Sequence, residues 1–515
     1  MKLYICEKPS LAKALAGNLG NPVSGKNCYE VGGDCVAWLK GHILEAQMPD
    51  DYKDEWKRSN CTYDKLPMIP EKFIKTVKKG DYFAIYKGIS DLAKKADVIV
   101  NVGDPDREGQ YLVDEVIEKL GWKGPVERLF INAYDDVTIK KALDSIEDNK
   151  SAKNYNMFRS AFCRDFTDWL IGMNGSRKFS LDAKRNIVVG RVQVPILALV
   201  YRRNKEIDNF VPVDYFKVKA NMAGDTDSFA ADWKPTEAEA EGGFDSENRL
   251  IAKDIAEKAV GRFTGKQAVI SDIVKEHKKV PQPLPFSLAT LQKKACGKLG
   301  ISLKELDEAM QSLYEKHKLL TYPRSDCEFI PESQFGDAEK IIGMLKGLGD
   351  KNLEAVADGA DSSIRSRAFN TAKTTAHHAI IPTGTEADFS VLSETEKGVY
   401  LIVAERYLMQ FYPVYEYDVT KIILDCDGSR FEAAGTVVAV PGWKKIAGAD
   451  ESDDKEAEKA KPLPDCHKGD SFYVESCAIV TATTKPPKRF TQESLIEALC
   501  NAYKYVHDPK YKEVI

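Results

Sequence analysis

The stretch 97–121, DVIVNVGDPDREGQYLVDEVIEKLG, decides how the N-terminal part of this chain folds. DVIVNV (97–102) reads as a short apolar strand covered on both faces, the pattern of a parallel sheet. GDPDREG then turns the chain, and QYLVDEVIEKLG repeats apolar residues at helical spacing up to Gly121. Upstream, KLYIC (2–6) is a second strand of the same kind. Pro9 suits a first helical turn, and Leu11, Ala14, Leu15 and Leu19 recur at helical spacing before Gly20. Strand–turn–helix units of this sort predict a largely parallel α/β sheet over residues 1–150.

Moving outward, residues 151–210 are helical in spacing and carry 11 Lys/Arg against 5 Asp/Glu. YFKVKANM (215–222) and YDVTKIILDC (417–426) alternate as antiparallel strands do, and a mainly helical stretch separates them. This predicts a β-rich part at 211–280 and 411–475, interrupted by a helical part at 281–410. Residues 476–515 are expected to rejoin 151–210. At 515 residues the chain is long enough for several domains, so the fold class is multidomain α/β with mainly α and mainly β parts.

Composition excludes some classes. No apolar run of membrane-spanning length exists, and Glu7 and Lys8 interrupt the N-terminus before a signal sequence could form. The 11 cysteines never occur as C-x-x-C, which argues against a paired-cysteine zinc site and suits a reducing compartment. The net charge of −5 averages over local patches. Residues 275–326 hold 10 Lys/Arg against 6 Asp/Glu, while the acidic surplus sits in ADESDDKEAEKAK (449–461), read as a solvated loop.

Four segments carry candidate chemistry. Glu7 closes the first strand, and Asp104, Asp106 and Glu108 follow the second, so all emerge at strand carboxyl ends, where ligands bind. Carboxylates grouped there call for a cation, and an all-oxygen set selects Mg²⁺; the alternative is an acidic loop that caps the next helix. In TYPRSD (321–326), Tyr322 is a candidate nucleophile with Arg324 two residues on, although a tyrosine before proline is also a common structural element. In AHHAIIPT (376–383), one histidine acting on a phosphate competes with a hydrogen-bonded core histidine. In VVGRVQVP (188–195), Arg191 and Gln193 within an apolar run need either buried pairing or contact with a nucleic-acid strand.

These segments, in this order, resemble the type IA DNA topoisomerases, and the topoisomerase III branch in particular. The resemblance rests on EKPS (7–10), DPDREG (104–109), GRVQ-P (190–195), LPFSLATLQ (284–292), TYPRSD, HHAIIPT (377–383) and RFTQESLIEAL (489–499), and it spans nearly the whole chain. It implies a Toprim domain at 1–150, with Glu7, Asp104 and Asp106 at the Mg²⁺ site and Glu108 in support. Lys8 would contact the scissile phosphate or its leaving oxygen. Tyr322 would form a 5′-phosphotyrosyl bond, with Arg324 orienting the phosphate and His377 assisting. Val188, Val189, Gly190, Arg191, Val192 and Gln193, with Asp168, Ser176 and Arg177, would line a single-strand DNA groove. Tyr155, Phe158, Phe162 and Trp169 suit either stacking on bases or core packing. The domains would close into a toroid.

The resemblance further implies an ATP-independent isomerase, a monomer acting on single-stranded segments of negatively supercoiled or catenated DNA. It implies a cytoplasmic, nucleoid-associated location and no membrane contact. One departure stands out. In the family the RFTQESLIEAL-like stretch is followed by a G-x-G-T-x-A-T-R segment, and here the sequence ends at 512–515 without it. That leaves cleavage more secure than strand passage, and keeps two alternatives: a turnover-deficient single-strand-binding protein, or a Toprim nuclease or primase.

Overall fold

A computed structural model describes residues 1–25, 27–225, 227–374, 377–447, 462–506 and 508–514. The acidic run at 449–461 lies outside the described residues. The N-terminal part is a seven-stranded sheet. Its four central strands, Asp34–Trp38, Lys2–Cys6, Val98–Val102 and Val126–Arg128, run parallel. Short antiparallel strands close both edges. Leu3 pairs with Cys35 on one side and Ile99 on the other, and Leu3–Cys6 are buried, as a strand covered on both faces requires. The helices Pro9–Leu19 and Arg107–Lys119 follow two neighbouring strands, so both acidic segments open onto one rim of the sheet.

The long helix Ala152–Ala183 lies along Arg107–Lys119. Its aromatic residues Phe158, Phe162, Phe166 and Trp169 pack, while Tyr155 and Phe179 face solvent. Phe158 and Phe162 meet Tyr111, and Phe162, Phe166 and Trp169 surround Phe73, with ring centroids 5.0–6.3 Å apart. The Trp169 indole also donates to the Gln47 carbonyl at 2.8 Å. Of the four aromatics named from sequence, Tyr155 alone stays exposed. The next helix, Gln193–Asp208, buries Leu199 and leaves Leu197 and Tyr201 exposed.

Six strands then form a closed barrel: Asp214–Ala223, Ser228–Trp233, Ser429–Val440, Tyr415–Cys426, Gln267–Val280 and Ser471–Thr483. The last of these runs to Thr483, beyond the junction expected at 475/476. The mainly helical region is inserted between two adjacent barrel strands, which are paired from Ala268↔Cys426 to Val280↔Tyr415. Its two connections leave together, through PQPLP (281–285) and past Pro413. Gln282 donates across them to the Tyr412 carbonyl at 2.6 Å, and Gln410 donates to the Pro283 carbonyl at 2.8 Å.

After the barrel, Arg203 holds the returning chain, donating to the Lys488 carbonyl at 2.8 Å and covering the Phe490 ring. The helix Gln492–Cys500 then packs against Leu288–Leu299, with Lys293 and Glu497 paired at 3.0 Å. The C-terminal segment thus links the helices of 151–210 to the region that carries Tyr322.

Candidate active site

The acidic loop is shaped by close backbone approach. A Cβ at Gly103 would lie 2.0 Å from the Gly109 carbonyl oxygen, and one at Gly109 would lie 2.2 Å from that of Asp104. Both glycines of GDPDREG are therefore required for space, whereas the sequence showed only that this segment turns the chain. Glu7 accepts from the Asp104 backbone N–H at 2.9 Å, which joins the two strand ends. Asp106 serves twice. One carboxylate oxygen caps the following helix through the Gly109 N–H at 2.6 Å, and the other accepts from the Tyr322 hydroxyl at 2.8 Å. Helix capping and site chemistry, alternatives in the sequence, coexist in one side chain.

Lys8 lies over this cluster, 2.8 Å from Asp104 and 3.3 Å from Glu315. Burial works against its charge, but Asp104 and Glu7 outweigh burial and raise its pKa. Glu7 is pushed up to about 8 by burial and by Asp104. One Asp104 carboxylate oxygen is buried with no hydrogen-bond partner. Among the described residues no three His, Cys, Asp or Glu side chains are grouped as a ready-made metal cage. The orphaned Asp104 oxygen and the elevated Glu7 nevertheless fit a hard cation, since both features are relieved by positive charge between oxygen donors.

Glu108 faces elsewhere. It pairs with Arg164 of the long helix at 3.0 Å and lies 3.8 Å from His42; His42 and Arg164 hold its pKa down, while Glu108 and Glu115 together raise that of His42 to about 9. The supporting position expected for Glu108 beside Glu7 is not what the structure shows. The carboxylate instead joins the helix Arg107–Lys119 to the long helix.

Tyr322 is 3% exposed, at the contact between the sheet and the helical insertion. Its backbone N–H donates to the Asn132 carbonyl at 3.0 Å. His377 stacks on its ring at a centroid distance of 4.5 Å, and Tyr314 meets it edge-on at 5.7 Å. Burial, Asp104 and Asp106 all raise the Tyr322 pKa far above its ordinary value, so the resting hydroxyl is protonated. Burial lowers His377 to about 4, leaving a neutral imidazole at neutral pH. His378 instead contacts the Ala379 carbonyl at 2.8 Å, so the two adjacent histidines point apart as their spacing predicts. Arg324 is exposed; burial raises the Asp104 pKa, and the charges of Lys8 and, more weakly, Arg324 work against that rise.

Arg128 was not singled out from sequence. Its guanidinium is fully buried and donates to the carbonyls of Asn101, Gly103, Leu129 and Asp104 and to the Gln110 side chain, at 2.8–3.1 Å. Asn101 completes the support by accepting from the Gly103 N–H at 2.9 Å. The available signal was an arginine at an inward position of the apolar run VERLFI (126–131). Arg128→Ala is expected to cost about 3–5 kcal/mol, because four carbonyls lose a buried charged donor. Thermal unfolding measures the cost, and an unchanged melting temperature would contradict this role.

The residues expected in the groove lie along the second half of the long helix. The Val189 N–H donates to Ser176 Oγ at 2.9 Å, Arg191 pairs with Asp168, and Arg177 pairs with Asp50 at 2.6 Å. Val188, Val192 and Gln193 are exposed beside them, and Gly190 is partly so.

Residues 2–134 match the Toprim domain, a metal-binding domain, and residues 152–503 match the DNA topoisomerase family. The chain belongs to the type IA DNA topoisomerases, which are isomerases. The curated relatives place it in the topoisomerase 3 branch. DNA topoisomerase 3 of Vibrio cholerae is 36% identical across this whole chain, which covers 80% of that protein. The Bacillus subtilis DNA topoisomerase 3 is 32% identical over 97% of this chain and 67% of its own length. The fold is shared with full-length topoisomerase I of Thermotoga maritima, at 21% identity and a TM-score of 0.68 over 97% of this chain and 75% of that one. The architecture is the toroidal type IA fold.

Proposed function

We propose that the chain cuts one DNA strand through a 5′-phosphotyrosyl bond to Tyr322, passes a strand through the break and reseals it, relaxing negative supercoils or decatenating DNA. The observation that carries this reading is the hydrogen bond from the Tyr322 hydroxyl to Asp106, which joins a buried tyrosine to the acidic rim. On this reading residues 1–150 handle the cut end. Residues 151–210 and 476–515 form the strand groove, 211–280 and 411–475 form the hinge, and 281–410 carry the nucleophile. The groove comprises Asp168, Ser176, Arg177 and residues 188–193.

The Tyr322 oxygen attacks phosphorus, the bond to the 3′ oxygen breaks, and the tyrosyl proton passes to Asp106. Lys8 is placed to give a proton to the departing 3′ oxygen, Arg324 orients the phosphate, and neutral His377 holds the tyrosine ring by stacking. Glu7, Asp104 and Asp106 would hold Mg²⁺, which supplies positive charge against that developing on the phosphate. Rejoining reverses these transfers. One phosphodiester is exchanged for another, so no ATP is needed, and the sequence contains no G-x-x-x-x-G-K-[ST] loop.

Tyr322 is too buried for a phosphodiester to reach it in this arrangement. The Tyr322–Asn132 and Lys8–Glu315 contacts must therefore loosen as DNA enters. A Toprim nuclease or primase gives no role to these contacts. Among the described residues no helix is long and apolar enough to cross a membrane. A monomer acting on the nucleoid in the cytoplasm accords with this reading.

The test is covalent capture. Incubation with labelled single-stranded oligonucleotide and Mg²⁺, followed by denaturation, leaves label on the protein if the tyrosyl bond forms. Binding is also expected to favour single-stranded over blunt duplex DNA and to weaken with salt, by about 0.7 log units per log unit of salt for each phosphate neutralised. Anisotropy titrations at several salt concentrations measure this, and equal affinity for both forms would contradict the groove.

A further inference from the structure

A cavity of about 550 Å³ lies where the N-terminal sheet domain meets the helical insertion. Phe130, Asn132 and Lys141 line it from one side, and Lys340, His378 and Tyr407 from the other. No side chain among these six enters the cleavage chemistry. Two acceptors on its walls lack donors. The Asn132 side-chain oxygen is buried and unpartnered. His378, 8% exposed, meets the Ala379 carbonyl through Nδ1, which must therefore carry a proton. Burial keeps the ring neutral, so Nε2 is left as an acceptor.

The charge of the cavity follows from which groups are already committed. Asp135 caps the helix Asp136–Leu143 by accepting from the Thr138 N–H at 3.0 Å, and Asp136 accepts from Asn18 at 3.1 Å. Glu147 pairs with Lys153 at 3.4 Å, and Lys153 also covers the Phe130 ring. Lys141 and Lys340 are exposed, and neither has an ion-pair partner among the described residues. A Cβ at Gly384 would lie 3.2 Å from the Lys340 ammonium, so the bare backbone there gives that side chain its place. Asp337, exposed, is the remaining acid.

These features describe one class of ligand. Unpartnered acceptors ask for N–H donors, and a guanine edge offers two side by side, from its ring N–H and its exocyclic amine. Uncommitted lysines on opposite walls ask for a phosphate, and the volume suits a nucleotide. We infer that the cavity binds a guanine mononucleotide, with the base at Asn132 and His378 and the phosphate between Lys141 and Lys340, and that the bound nucleotide clamps the sheet domain to the helical insertion.

Binding stands on the cavity alone, whereas the clamp rests on the proposed reading in which the two parts separate for DNA. Both walls supply contacts, so the nucleotide favours the arrangement in which they face each other. Asn132 serves both events. Its backbone carbonyl receives the Tyr322 N–H, and its side chain lines the cavity. The nucleotide thus strengthens a contact that entering DNA must loosen, and each ligand weakens the other by the same factor.

Calorimetric titration of the full chain with GMP, inosine monophosphate and guanosine reads the two ends of the ligand separately. Inosine monophosphate lacks the exocyclic amine, and guanosine lacks the phosphate. GMP is expected to bind once per chain, and each analogue about tenfold more weakly. The Lys141→Ala/Lys340→Ala double variant should bind GMP about tenfold more weakly than the native chain does, and no better than it binds guanosine. Equal affinity for all three compounds, unchanged GMP binding by the double variant, or no saturation at about 1 mM GMP overturns the site. The clamp is read by anisotropy on a labelled single strand, with Mg²⁺ in excess of nucleotide. Saturating GMP should weaken DNA binding about fivefold in the native chain and leave the double variant unaffected. Undiminished DNA affinity in GMP-saturated native chain overturns the clamp. Covalent capture without nucleotide tests the cleavage reading by itself: absence of the adduct sinks Tyr322 as nucleophile, and the titrations still decide the nucleotide site.

Discussion

Tyr322→Phe is expected to abolish covalent DNA capture while leaving single-strand affinity within a few-fold of the native value. The substitution removes one oxygen and little else. The ring keeps its stacking on His377 and its edge contact with Tyr314, and the backbone N–H still reaches the Asn132 carbonyl. The lost hydrogen bond to Asp106 changes stability by about 1 kcal/mol, because that carboxylate keeps its second role as a helix cap. Binding depends on the groove, which the ring does not line. Capture on denaturing gels, beside anisotropy on the same oligonucleotide, separates the two effects. An adduct formed by the Phe variant would disprove the central assignment.

The second large effect is expected from Asp104→Asn combined with Asp106→Asn. This variant should lose most relaxation activity yet retain some single-strand cleavage. Asparagine is as good a helix cap as aspartate, so the Gly109 contact persists and the loop keeps its shape. What changes is charge. Two of the three carboxylates that would hold Mg²⁺ become neutral, and Lys8 keeps Glu315 but loses its closest ion-pair partner. The same change removes the carboxylate that accepts the tyrosyl proton, which slows attack, but it also removes the two charges that oppose ionisation of Tyr322 most strongly after burial, so some cleavage persists. Rejoining gains nothing comparable, because a free 3′ end must be brought back into line before it can react. Cleavage and religation followed separately across a Mg²⁺ titration test this. Native-like religation without added metal, or undiminished relaxation, would remove the role assigned to the cluster.

Much of this was legible in the sequence because the decisive signals are local. A strand followed by GDPDREG and an amphipathic helix can fold in few ways, and the rim carboxylates follow from that. Tyr322 beside Pro323 and Arg324 was readable as a candidate, as was a single histidine from the pair at 377–378. What escaped depends on partners far apart in the chain. Arg128 serves carbonyls up to 27 residues away, and nothing near it in sequence announces that task. Glu108 sits in the acidic motif, yet Arg164, 56 residues on, draws it toward the long helix. Phe158, Phe162 and Trp169 had the spacing of either a stacking surface or a packed face. The choice was settled by Phe73 and Tyr111, which lie on other elements. Local pattern reads chemistry well when one loop supplies it, and poorly when two remote segments must meet.

The paired connections of the helical insertion have a mechanical consequence. Both leave the barrel at Val280↔Tyr415, and prolines at 281, 283, 285 and 413 limit bending within them. With the Gln282–Tyr412 rung they act as one stiff strap rather than two loose threads. A rigid arm on a single pivot converts a small rotation near the barrel into a wider swing farther out. The aperture for a passing strand is then set by lever length, and little of the folded structure has to unravel to create it.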